Sequence, residues 1–295
     1  MIDDTMGVLV YKIRAFTKES TGGNPAGVVL NHVGLSNDQM KEISRRLQVS
    51  ETAFITPGGH TEYLVRFFSP TVEVDLCGHA TIASFYLIGS SMQHIQKDVI
   101  VLHQQTRAGL LPVSLHFKKG GLDQVMMTQK TLVFEPVSLD YGIVAEIIGV
   151  DTDDIDMVYS SHRVSTGLYT LPICVRSFDV LKNITPDFQR INNFCSSTGV
   201  GSLHVFTFDT LEPSSLYHAR NFAPVYGVLE DPVTGTANGA VASYLFHKGY
   251  ISQEKVICEQ GDIIGRAGRV TVDMSQPRVQ VGGHAVIAET VDLDV

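Results

Sequence analysis

The chain has 295 residues, with 22 Lys+Arg against 31 Asp+Glu, a formal charge of −9, 44% hydrophobic and 18% charged residues. That length lies between one large domain and two ordinary ones, and the composition is that of a chain that buries a core. The acidic balance argues against nucleic acid as a partner, no apolar run approaches the roughly 18 residues of a membrane span, and no basic segment leads into an apolar stretch at the N-terminus, so the expectation is a soluble, cytoplasmic protein with neither signal peptide nor membrane partner.

In chain order, Gly7–Phe16 opens as a β-branched strand. Gly22-Gly23-Asn24-Pro25-Ala26-Gly27 reads as a turn at Asn24-Pro25 and is neither a dinucleotide fingerprint nor a phosphate loop. Ser36-Asn37-Asp38-Gln39 is a capping box, and Met40, Ile43 and Leu47 follow at helical spacing. Ser50-Glu51 then precedes the apolar run Ala53-Phe54-Ile55, and Tyr63–Phe68 is another strand. A helix of small and apolar residues (Ala80, Ala83, Leu87) runs from His79 to Gly89. Strands Val99–Gln104 and Gly109–Phe117 lead to a solvated turn at Lys118–Gly121. In the second half, Thr185-Pro186 predicts a helix start with Pro at the first helical position, followed by strand Ser202–Phe208. A second small-residue helix (Ala237, Ala240, Val241, Tyr244, Leu245) runs from Thr236 to Gly249. Arg269–Met274 and Arg278–Glu289 close the chain as strands, with a bend at Gly282-Gly283-His284. Helices apolar along most of their length, as these two are, belong inside a fold.

The two apolar helices belong to an internal repeat. Arg66-Phe67-Phe68-Ser69-Pro70 is echoed by Arg220-Asn221-Phe222-Ala223-Pro224, and Gly78-His79-Ala80-Thr81 by Gly235-Thr236-Ala237-Asn238. The offset is 220 − 66 = 154 at the start and 235 − 78 = 157 at the glycines. An offset of half the chain is too long for a solenoid, whose periods run about 20–50 residues, and indicates two similar domains. The expected division is 1–127 and 128–295, with the last strand, about 278–295, packing with the first half.

Two similar domains facing each other would leave a cleft, a place that ligand sites favour. The loop–Gly–helix units at Gly78 and Gly235 are its natural lining, since free N–H groups and the helix dipole at a helix start attract an anion, and Gly admits close approach. The competing reading is simple capping by His79, Asp231 or Thr236. Glu51 stands before a strand; buried, it has the raised pKa of a general acid/base, and exposed, it is an ordinary surface carboxylate. Cys77 lies beside a helix start, where a thiol ionises more readily, though a buried, inert Cys fits the same pattern. The four cysteines form no CxxC pair and the histidines no HExxH, so no metal is expected from spacing.

Four motifs in order complete the reading: Gly23-Asn24-Pro25-Ala26-Gly27-Val28-Val29, Ser50-Glu51-Thr52-Ala53-Phe54, Cys77-Gly78-His79-Ala80-Thr81 and Asp231-Pro232-Val233-Thr234-Gly235-Thr236-Ala237. Together they resemble the PhzF family of phenazine-biosynthesis isomerase-like proteins over essentially the whole chain. The resemblance implies an α/β (α+β), diaminopimelate-epimerase-like fold: two similar domains, each a curled mixed β-sheet around a central helix. It also implies a homodimer, no cofactor and a small anionic substrate. It makes Glu51 the catalytic acid/base, lines the site with His79, and gives substrate contacts to Asp231, Ser50, Gly78, Gly235 and Thr236. The type reaction moves a hydrogen from C3 to C1 of trans-2,3-dihydro-3-hydroxyanthranilate. Epimerases and racemases of this fold use one thiol from each half; here the first is Cys77, a candidate second base, while the repeat places Thr234 at the other position. The alternatives are therefore an epimerase or racemase using Cys77 with Glu51, and a small-acid-binding protein without chemistry.

Overall fold

The computed structural model describes residues 7–92 and 96–295. The chain divides into two compact units, one ending at Thr128 and completed by Gly282–Val295, the other Gln129–Val281. The first holds strands β1 (Gly7–Ala15), β2 (Asn24–Leu30), β3 (Thr52–Pro57), β4 (Glu62–Phe68), β5 (Glu73–Val74), β6 (Val99–Thr106), β7 (Gly109–Lys118) and β8 (Gly121–Thr128), with helices α1 (Asn37–Leu47) and α2 (Gly78–Ser90). The second holds β9 (Val133–Pro136), β10 (Ile155–Asp156), β11 (His162–Ser165), β12 (Tyr169–Val175), β13 (Ser202–Thr207), β14 (Tyr217–Ala223), β15 (Val228–Asp231), β16 (Lys255–Gln260) and β17 (Gly268–Asp273). Its helices are α3 (Tyr141–Ile148), α4 (Phe178–Asn183), α5 (Phe188–Thr198) and α6 (Gly235–His247). Strands β18 (Gln280–Gly283) and β19 (Ala285–Asp294) follow, and β19 pairs antiparallel with β1. Among the described residues no helix is long and apolar enough to cross a membrane.

The two units share one pairing scheme. In the first, β1–β2 is antiparallel, β2–β3 parallel, β3–β4 antiparallel, β4–β6 parallel and β6–β7 antiparallel. In the second, β11–β12, β12–β13, β13–β14, β14–β16 and β16–β17 repeat that alternation in the same order. A parallel pair needs a crossover, which a helix supplies: α1 and then α2 in the first unit, α4 with α5 and then α6 in the second.

Side chains carry the duplication as well. Arg66 on β4 grips Glu73 on β5 with two hydrogen bonds of 2.9 and 2.8 Å, and its guanidinium lies 5.0 Å from the Phe68 ring centre. Arg220 on β14 holds Glu230 on β15 at 2.9 and 2.8 Å and lies 5.0 Å from the Phe222 ring. Only the planar fork of Arg satisfies both a carboxylate and a ring face in this way.

Each unit curls around one helix. Helix α2 buries nine of its 13 residues and packs on β1, β2, β3, β7, β8 and β19; α6 buries ten of its 13 and packs on β11, β12, β13 and β17. Their Ala, Gly and Ser side chains let strands approach on every side, which a one-faced amphipathic helix could not allow. The amphipathic helices sit on the outside. Met40, Ile43 and Leu47 of α1 bury against Val10, Val29, Phe54 and Phe68, while α3, α4 and α5 cover the apolar faces of β12, β13 and β14.

Two local expectations are corrected. Helix α5 begins at Phe188 with Asp187 as its N-cap, accepting from Arg190 N at 3.0 Å, because Thr185 N and Asp187 N are already committed to Ile148 O and Ile147 O. Asn24-Pro25 is no turn: both residues start β2 opposite Ala15 and Arg14, and the turn falls at Gly22-Gly23, whose φ values are 88° and 59°. Proline is tolerated there because it stands at a strand start.

The bend at Gly282-Gly283-His284 has a steric cause. A Cβ on Gly282 would lie 1.9 Å from Val125 O and 2.8 Å from Met126 Cα, both backbone atoms. His284 interrupts the strand and directs Nδ1 to Asp123 O at 2.6 Å, while its own O accepts from Phe16 N at 2.8 Å. Gly282→Ala is expected to lose about 3 kcal/mol or more of stability, at the upper end of overpacking costs, read as a drop in the urea midpoint.

Candidate active site

In the first unit four candidate residues come together. Helix α1 ends in a left-handed Gln48 (φ 53°), which turns the chain so that Ser50 and Glu51 arrive at the head of β3. Glu51 O accepts from Gly27 N at 3.1 Å, so the β2–β3 pairing holds the backbone there. The approach is close: a Cβ on Gly27 would meet Thr52 Oγ1 at 2.5 Å and Leu47 Cδ1 at 2.6 Å. Cys77 is the N-cap of α2 in extended conformation, and no side chain caps that helix. The first intrahelical bond is Thr81 N to Cys77 O at 3.0 Å, doubled by Thr81 Oγ1 at 2.8 Å.

His79, in the first turn of α2, is the hub. Its Nε2 lies 3.3 Å from Glu51 Oε2 and 3.3 Å from Ser50 Oγ, and its Nδ1 lies 3.4 Å from Cys77 Sγ. The side chains of His79 and Glu51 are 12% and 22% exposed, so the carboxylate is within reach of a ligand yet partly sheltered from water. The imidazole stands beside the carboxylate, and its Nε2 pairs with Ser50 Oγ. The uncapped start of α2 beside it presents backbone N–H groups and partial positive charge, which suit an anionic group. His79 is therefore no helix cap.

The second unit repeats the arrangement with different chemistry. Thr234, not Asp231 or Thr236, is the N-cap of α6, and again no side chain caps the helix. Cys77 and Thr234 thus occupy equivalent places. The Thr234 hydroxyl donates to Asp231 Oδ2 at 2.6 Å, and Asn238 Nδ2 donates to Thr234 O at 2.9 Å. Gly235 is buried and Thr236 half-buried at the helix start, with Thr236 O accepting from Thr166 Oγ1 at 3.4 Å.

Gln260, missed in the sequence, organises this turn. Its Oε1 accepts from Thr234 N at 3.0 Å and Asn238 Nδ2 at 2.7 Å, and its Nε2 donates to Asp231 O at 2.8 Å and Thr234 Oγ1 at 3.2 Å. A signal existed: Gln104, at 260 − 104 = 156 residues before it, holds the same place in the first repeat and accepts from Thr81 Oγ1 at 3.2 Å. Gln260→Leu leaves buried donors of Thr234 and Asn238 without acceptors, so a loss of about 3 kcal/mol is expected from unsatisfied groups, measurable by chemical denaturation, together with a raised KM.

Comparisons with known proteins show the family and the fold. Residues 13–290 match the model of the family described as phenazine biosynthesis-like protein. The uncharacterized isomerase YfhB of Bacillus subtilis is 36% identical over 287 residues, covering 95% of this chain and 97% of that protein. The crystal structure of a PhzF-family phenazine biosynthesis protein from Bacillus anthracis superposes with a TM-score of 0.87 at 28% identity, over 98% of this chain and 99% of that one. A protein of Pseudomonas aeruginosa named a predicted epimerase shares the fold at a TM-score of 0.79 and 21% identity, over 97% of this chain and 99% of that one. With its duplicated α/β units each built around a buried helix, the chain belongs to the phenazine biosynthesis-like, or PhzF, family of isomerases.

Proposed function

We propose that the protein moves a proton between two carbons of a small cyclic or unsaturated amino or hydroxy acid, with Glu51 as the single general acid/base. The observation that carries this reading is the Glu51–His79 pair, 3.3 Å apart, beside the uncapped start of α2. A carboxylate beside an imidazole takes a proton from one carbon and, after exchange with water at its partly exposed oxygens, delivers a proton to another carbon on the same face of the ring, since its two oxygens reach both. Relocating a proton consumes no electrons, so the reaction asks for no redox cofactor. His79 and Ser50 orient the substrate and steady charge that develops on it, Gly78 offers its backbone N–H, and Asp231, Gly235 and Thr236 supply further polar contacts.

A two-thiol racemase mechanism is disfavoured by the second unit. The residue equivalent to Cys77 is Thr234, whose hydroxyl already donates to Asp231 at 2.6 Å. A one-thiol epimerase using Cys77 with Glu51 is the second reading, favoured by the 3.4 Å contact of Cys77 Sγ with His79 Nδ1. The same proposal takes the working assembly as a homodimer, which sedimentation equilibrium reads directly. The test of function is incubation in deuterated water with dihydrohydroxyanthranilate and a panel of small amino and hydroxy acids, followed by NMR. Deuterium at a carbon remote from a stereocentre, with a shifted double bond, supports the isomerase; deuterium only at an inverted stereocentre supports the epimerase; binding without exchange contradicts both.

A further inference from the structure

We infer that Glu51, Cys77 and His79 also form a binding site for a zinc-class divalent cation. One ligand atom from each of the three side chains lies within 4.8 Å of the other two. Taking Nε2 as the imidazole donor, the edges are 3.3 Å to Glu51 Oε2 and 3.8 Å to Cys77 Sγ. Tetrahedral zinc with ordinary bond lengths sets donor–donor edges of about 3.3 Å for N–O and about 3.5 Å for N–S. The two edges at Nε2 are close to the spacing the ion requires, and Cys77 Sγ, which lies 3.4 Å from Nδ1, turns toward the Nε2 side to complete the set. Carboxylate, imidazole and thiolate are the ligand types that zinc takes, and three protein ligands leave its fourth position open to water or to a substrate carboxylate.

The start of α2 acts in two directions on such an ion. Its partial positive charge opposes a cation, but the same charge favours the Cys77 thiolate, which is the form that ligates. Binding releases the thiol proton to solvent, and one thiolate with one carboxylate then offsets both charges of the metal. No sequence motif announces the site, because Glu51 comes from the head of β3 and the other two donors from the head of α2. An ion held there occupies the Glu51 carboxylate, so the cation acts as an inhibitor; that consequence rests on reading Glu51 as the acid/base, whereas the binding itself does not.

The test is titration of the purified chain with Co²⁺ as a spectroscopic stand-in, followed by competition with Zn²⁺. The expected result is one Co²⁺ per chain with a thiolate-to-cobalt charge-transfer band that Zn²⁺ removes. Cys77→Ser abolishes the band, and His79→Gln weakens Zn²⁺ binding by about a hundredfold or more, at least the upper range for loss of an outer-shell partner. Thermal unfolding of both variants checks that they fold, and Glu51→Gln gives an independent third ligand removal. Binding without a thiolate band, or equal affinity in wild type and both ligand variants, overturns the proposal. Neither result depends on turnover, so its failure leaves the acid/base role of Glu51 intact, and a fully active Glu51→Gln enzyme leaves the metal site intact.

Discussion

Glu51→Gln lowers turnover by about 10²–10⁴-fold, the usual contribution of a positioned general base, while ligand binding changes little. Gln keeps the shape of Glu beside His79 Nε2, 3.3 Å away, so the loop between α1 and β3 keeps its conformation. What it lacks is a basic oxygen at neutral pH. The expected split is therefore a loss in kcat with a KM or Kd near the wild-type value, the pattern of an interaction made in the transition state. Turnover kinetics paired with calorimetric binding of the best acid from the panel checks it. A variant that binds tenfold more weakly with unchanged kcat would assign Glu51 to substrate binding instead.

Glu259→Ala is the largest expected stability effect, about 3–5 kcal/mol, since it leaves the buried donors of His218, Leu211 and Glu212 without their acceptor at about 1–3 kcal/mol each. Glu259 and His218 have fully buried side chains, 2.8 Å apart between Oε2 and Nδ1. The carboxylate also accepts from the backbone N–H groups of Leu211 at 2.9 Å and Glu212 at 2.7 Å. Burial by itself pushes the Glu259 carboxyl up, but the bonds from His218, Leu211 and Glu212 outweigh it and hold the pKa at about 2. Alanine removes all three acceptor contacts at once, whereas the conservative variant Glu259→Gln keeps one acceptor oxygen and loses less.

The same group sets a pH window. Its folded pKa, about 2, lies below the ordinary value of 4.5. The folded state therefore binds fewer protons than the unfolded one between those values. Its contribution is complete above about pH 4.5 and is lost as the pH falls toward 2, and linkage puts its size at about 3 kcal/mol. Urea unfolding at pH 7 and pH 3 is expected to show a larger acid loss in the wild type than in Glu259→Gln. Equal losses would place the acid sensitivity elsewhere.

The duplication was legible because it is written in local chemistry. Arg66 and Arg220 each need a ring and a carboxylate nearby, and the runs that follow Gly78 and Gly235 are too apolar for a surface. The capping box at Ser36 was equally legible, since both of its bonds lie within four residues. Other features depended on partners distant in sequence. Whether α5 is capped at Thr185 or at Asp187 is decided by Ile147 and Ile148 of another helix. Asn24-Pro25 has turn composition but is drawn into β2 by Ala15 and Arg14. The cluster of Glu51, His79 and Cys77 requires a strand head and a helix head to meet, which motif spacing does not show. Gln260 was overlooked although its repeat mate Gln104 stood at nearly the common offset, because a lone Gln in a strand pattern carries no chemical signal of its own.

The most direct measurement is hydrogen exchange at the reacting carbon in deuterated water, followed by NMR for the wild type and Glu51→Gln side by side. The account predicts deuterium entering the substrate or product in the wild type and none above background in the variant, although both bind the acid. Exchange at the wild-type rate in Glu51→Gln, disappearing instead in Cys77→Ser, would contradict it and move the proton transfer to the thiol.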